Sequence, residues 1–209
     1  MRIYKYTISV SVIFCIFSLL MSVFFCMPNS EVGLLLENIS VGIFASSLVL
    51  IGSSFVGYFI EEKRFMREYY WKLLDLKRRA VVLMSIPFDK ATWEEYYNAI
   101  SSIYDILLGY FALVDVEFIL FRKGEKAKKL SEIHSFLFEY SEIVREAELS
   151  LRYYFAEARD VDGNKKYTKE DLRKDLKTFA EATDDFKDSG CTFACYLDMK
   201  IREYDKMIR

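Results

Sequence analysis

Residues 7–26 read TISVSVIFCIFSLLMSVFFC and residues 38–60 read NISVGIFASSLVLIGSSFVGYFI; neither run holds a charged side chain. Twenty residues of α-helix span about 30 Å, which matches the hydrocarbon core of a bilayer. The link between them, MPNSEVGLLLE, is short and contains Pro28. The pattern predicts a transmembrane helical hairpin over residues 1–60, with spans at about 7–26 and 38–60. A cleaved signal peptide is the competing reading of the first run. That run exceeds the ~7–15 residues of a signal core, and no A-x-A-like site follows it. A hydrophobic two-helix hairpin inside a soluble fold is a further alternative, although such helices are usually amphipathic.

Basic residues set the expected orientation. Arg2 and Lys5 precede the first run, the link has only Glu31 and Glu37, and Lys63, Arg64, Arg67, Lys72, Lys77, Arg78 and Arg79 follow the second. The positive-inside rule then puts both termini in the cytoplasm and the link outside. Lys63, Arg64 and Arg67 fall where the anionic headgroups of the inner leaflet would be. In a straight helix Lys77, Arg78 and Arg79 stand roughly 26–28 Å beyond the span, out of reach of lipid. They are solvated, or they meet an acidic partner.

The spans differ in texture. The first is bulky, whereas the second carries Gly42, Ser46, Ser53 and Gly57 on one face. Small residues let helix backbones approach closely, which drives association in lipid. The sequence leaves open whether this face packs on the first span or on another chain. Glu37, Asn38, Glu61 and Glu62 at the ends of this span are solvated helix ends, or mouths of a pore if copies assemble.

The remainder, 61–209, reads as a cytoplasmic α-helical domain. The chain has 8 Gly and 2 Pro, while 53 % of its residues are hydrophobic, which favours long helices over a turn-rich sandwich. Pro87 should end the helix that continues from the second span. Thr92 and Glu95 form a capping-box pattern ahead of a helix to about Phe121. Asp105, Asp115 and Glu117 make a third span costly, at about 2.5–3.5 kcal/mol each. After Arg122-Lys123-Gly124, a helix from about Glu125 to Ala158 carries Leu130, Ile133, Leu137, Tyr140, Val144, Ala147, Leu151 and Tyr154. These steps alternate three and four, the a/d repeat of helices packed in a left-handed coil. Phe136, Phe138, Ile143 and Leu149 lie off that seam, so the helix should pack on two sides. A coil within the chain and one between chains would look alike. Thr168 and Asp171 should cap a helix to about Thr183, and a last helix covers 191–209.

Sites of chemistry are scarce. Asp160 to Asn164 resembles a calcium loop but puts Lys165 where an EF-hand needs Gly and Asp171 where it needs Glu. Cys191 and Cys195 are expected as buried apolar residues, and a C-x3-C pair without histidine lacks the ligands for a metal. His134, the one histidine, has no Arg four to six residues before it, as a HEPN ribonuclease would require. There is no nucleotide-phosphate loop. Neither an enzyme, a cofactor nor a small-molecule substrate is expected. The net charge of −2 gives no general attraction to nucleic acid. Arg122, Lys123, Lys126, Lys128 and Lys129 form a local basic cluster; with Lys77, Arg78 and Arg79 they are the candidate partner patch.

The layout, two N-terminal spans with a basic inner flank and a helical domain at 61–209, resembles small bacterial two-span effectors of phage-defence systems, of the retron-associated or cyclic-oligonucleotide-signalling type. The resemblance is architectural and carries over no functional residue. It implies a sensor-controlled protein that damages the bacterial inner membrane and stops growth of an infected cell; the small-residue face from Gly42 to Gly57 and the heptad from Leu130 to Tyr154 add the expectation of a homo-oligomer that permeabilises the bilayer when triggered through its cytoplasmic domain. A regulatory protein or protein–nucleic-acid complex would hold it silent. The alternative is a membrane-anchored scaffold that recruits such a complex.

Overall fold

A computed structural model describes residues 2–25, 31–86, 92–114, 124–156, 167–188 and 190–208. Among these the chain is all-helical: α1 (Arg2–Phe25), α2 (Glu31–Ser85), α3 (Trp93–Leu113), α4 (Glu125–Phe155), α5 (Lys169–Asp184) and α6 (Phe193–Ile208), with a 3-10 turn at Phe186–Asp188 before α6. It divides into two units, residues 1–67 and 68–209. The calcium-like stretch Asp160–Asn164 and residues 115–121 of the expected third helix lie outside the described residues.

In the first unit α1 and α2 pair antiparallel. Tyr4 lies against Gly57, while Ser11 and Phe14 share a small cavity with Ser47 and Leu50. Two of the helices, α1 and α2, are long and apolar enough to cross a membrane. Helix α2 ends at Ser85, two residues before Pro87, as expected from the steric bar that proline sets on a preceding helical residue.

The second unit is built on α4, which contacts α3, α5 and α6. The a/d residues of α4 from Leu130 to Leu151 are all buried, and Tyr154 is half-buried. Phe136, off that seam, is buried against Phe186, Phe193 and Tyr196, so α4 does use a second side. Phe138 and Leu149 remain exposed. Tyr140 stacks on Phe193 with centroids 3.4 Å apart. Capping boxes at Thr92/Glu95 and Thr168/Asp171 start α3 and α5 where the sequence places them. Gly124 enters α4 with φ of 122°, a conformation that disfavours a Cβ.

From α2, Tyr69, Leu73, Leu76, Ala80 and Leu83 enter this core at steps of four and three. The hydroxyls of Tyr69 and Tyr110 lie 2.7 Å apart in a buried hydrogen bond, and Tyr204 of α6 packs on the Tyr69 ring at 5.0 Å. Burial pushes both phenols well above their usual pKa, so both stay protonated and neutral.

This pairing predicts a non-additive pair of substitutions. Tyr69→Phe should cost about 1–3 kcal/mol, because it orphans the buried Tyr110 hydroxyl. The Tyr69→Phe/Tyr110→Phe double variant should cost less than the two singles combined. Denaturant unfolding followed by near-ultraviolet circular dichroism measures both.

Candidate functional site

The hairpin has an inverted interior. Its buried polar residues are Ser11 and Ser18 on α1 and Ser40, Ser47 and Ser54 on α2, together with Glu62 nearer its end. On each helix the serines recur every seven residues, and Gly33 continues the α2 series. Most of the large apolar residues are exposed, with Ile13 at 65 % and Val23 at 76 %. Hydroxyls are satisfied locally: Ser18 donates to the Cys15 carbonyl at 3.1 Å and Ser40 to the Leu36 carbonyl at 2.8 Å. Such back-bonding is how a hydroxyl is accommodated where water is absent. The seven-residue spacing of serine is present in both runs and is the signal that identifies this seam.

The four small residues singled out on α2 divide between two environments. Gly57 packs within the chain: a Cβ there would sit 2.5 Å from the Tyr4 ring. Gly42 has open space around it, and Ser46 and Ser53 are exposed. The face Gly42–Ser46–Ser53 is therefore not used by α1, which takes the Ser40–Ser47–Ser54 face.

The basic residues also separate. Lys63, Arg64 and Arg67 are exposed. Lys77 forms an ion pair with Asp198 of α6, a carboxylate that Arg202 also holds at 2.9 Å, so Lys77 is a link within the second unit. Arg78 and Arg79 are exposed, and neither is in an ion pair among the described residues. Lys129 pairs with Glu125 at 2.9 Å along α4, and Lys128 is exposed. Arg122 and Lys123 lie outside the described residues, as does the side chain of Lys126.

The cysteines are not buried as expected: Cys191 is half-buried and Cys195 exposed. Cys191 precedes the α6 N-cap residue Thr192, and Cys195 follows it by three residues, donating its backbone N–H to the Thr192 hydroxyl at 3.2 Å. That position puts both thiols at the helix rim. The Cys191 side chain hydrogen-bonds the Cys195 thiol and raises its pKa, which lowers its reactivity at neutral pH. His134 sits between Tyr110 and Phe111, with ring centroids at 6.1 and 5.4 Å, and desolvation lowers its pKa. No group of three or more His, Cys, Asp or Glu arranged to hold a metal occurs among the described residues.

A groove between α4 and α5, of about 440 Å³, was not legible in the sequence. Ser150 donates to Asp175 at 2.8 Å at its edge, and Tyr167 donates to the same carboxylate oxygen. Burial and the Asp175 contact push the Tyr167 phenol up to about 12. No protein-family model, curated protein or solved structure matches the chain.

The Lys77–Asp198 link predicts an acid limb in the stability of the second unit. Hydrogen bonding from Lys77 holds the Asp198 pKa below its ordinary value. A carboxylate depressed in the folded state contributes stability above its unfolded pKa of about 3.9, lost as pH falls through the lower folded value. Lys77→Met should move the Asp198 midpoint up toward about 3.9 and flatten that limb. Carboxyl-carbon NMR titration together with unfolding at stepped pH reads the two effects.

Proposed function

We propose that the chain is a self-associating membrane effector: its hairpin sits in a bacterial inner membrane, both termini face the cytoplasm, and assembly of hairpins permeabilises the bilayer on a signal received by the helical unit. The observation that carries this reading is the inverted hairpin, serines inside and large apolar side chains outside. A helix pair folded for water buries the opposite set. The outward Gly42–Ser46–Ser53 face adds support for self-association. It interrupts an otherwise bulky surface, and small residues there would let a second helix approach closely. The exposed Lys63, Arg64 and Arg67 suit the anionic inner leaflet. Anti-phage defence is the setting that the architectural resemblance implies.

Reconstitution tests this. The wild-type chain should resist alkaline extraction from vesicles, form oligomers and release an entrapped dye. Gly42→Leu with Ser46→Leu should leave membrane integration intact but lower both oligomer content and dye release about tenfold, the effect of losing ~1.4 kcal/mol of helix association. Wild-type chain that washes off vesicles, or oligomers that leave them sealed, would overturn the permeabilising reading. In the second case activity that survives exchange of residues 7–60 for an unrelated anchor would establish the scaffold instead.

A further inference from the structure

In the second unit, the α2 residues Trp71, Arg78 and Val82 recur at i, i+7 and i+11, so they share one face. That face is uncovered: Trp71 is 56 % and Val82 54 % exposed, and Arg78 is exposed and in no ion pair among the described residues. In the same unit, the α4–α5 groove offers the complement. Leu149, Tyr153 and Phe179 give it an apolar lining, and Glu146 and Asp175 give it negative charge. Among the described residues Glu146 is in no ion pair, and Asp175 accepts from two neutral hydroxyls, those of Ser150 and Tyr167. No basic side chain is among the groove's described lining residues.

We infer that the Trp71–Arg78–Val82 face of one copy docks in the α4–α5 groove of a second copy, with Arg78 opposite Glu146 and Asp175. The inference rests on the self-association proposed above and names its contact surfaces. Charge decides between occupants. Pairing the α2 face with itself in parallel sets Arg78 against Arg78. Pairing groove with groove sets Glu146 against Glu146. On the α2 face Arg78 and the neighbouring exposed Arg79 outnumber the half-buried Asp75, so each face repels its own copy and attracts the other, which selects a head-to-tail contact over a symmetric one. Trp, Arg and Tyr are also the side chains that most often anchor interfaces. A head-to-tail contact repeats, so copies whose hairpins stand in one membrane would close into a ring if the rotation allows it.

The test uses the full chain in detergent micelles, with association measured by light scattering across concentration. Arg78→Glu and Glu146→Arg should each weaken association about tenfold, and combining them should restore it to within about threefold of wild type, since the cycle reverses the charge pair. A photo-crosslinking p-benzoylphenylalanine at position 82 should join isotopically distinguishable copies at peptides that contain Leu149 or Phe179. This arm leaves every native charge in place and stands even if a charge variant does not fold. Wild-type oligomers with unchanged association in both single variants, or crosslinks confined to α2 of the second copy, would overturn the docking inference and leave self-association standing. A wild-type chain that stays monomeric throughout would overturn self-association itself.

Discussion

Everything in the first unit follows from which side chains it turns inward. Among the described residues between Ile3 and Ile60, twenty-three large apolar side chains are exposed, while the seam holds serine. Burying one such side chain is worth about 1.5–3 kcal/mol. Even at half that value, leaving the set in water forfeits more than the about 5–15 kcal/mol that keeps a domain folded. The hairpin therefore requires apolar surroundings, lipid or protein. The serines fit that requirement, because a hydroxyl can donate to its own helix and needs no water. A small side chain also brings two helix axes together, and in lipid dispersion contacts along such a seam would stand in for the hydrophobic effect.

The second unit obeys the opposite rule and depends on it as strongly. Its interior is leucine, isoleucine and aromatic rings, and its polar atoms are few and mostly paired. The Tyr69–Tyr110 hydrogen bond joins α2 to α3, and the Tyr204 ring joins α6 to the same point. One exception is the Tyr140 hydroxyl, which lies beside Thr183 without a well-formed hydrogen bond. The stack of Tyr140 on Phe193 fixes that ring, so the orphaned hydroxyl is the cost of the aromatic contact.

Charge-free runs and three-four periodicity made the helices legible before any coordinates. The a/d residues of α4 are core because periodicity reports burial directly. Capping boxes were legible for the same reason: they are local. The small-residue face was read only in part. Gly42, Ser46, Ser53 and Gly57 do recur on one side of α2, but periodicity cannot say which of several apolar faces meets α1. The structure assigns that role to Ser40, Ser47 and Ser54, whose seven-residue spacing was equally present in the sequence. Lys77 looked like its neighbours Arg78 and Arg79 because its partner, Asp198, is 121 residues away. The exposure of Cys195 and the half-burial of Cys191 follow from their place at a helix N-terminus, which their hydrophobicity alone does not encode. The α4–α5 groove, made by two helices and a long-range pairing, leaves no local signature.

The formal charge of −2 conceals how the helical unit is organised. Arg78 and Arg79 are exposed on one surface, and Glu146 and Asp175 line a second surface with no basic side chain among its described lining residues. A near-neutral total therefore coexists with local fields strong enough to orient an approaching molecule. The hairpin and the helical unit would consequently respond to different variables. Contacts between small residues in an apolar medium are dispersion contacts and ignore ionic strength. Contacts between exposed arginine and carboxylate weaken once the Debye length falls below their separation, about 10 Å at 0.1 M salt. An association that used both surfaces would keep a salt-independent core, and its salt-dependent part would come from the helical unit alone.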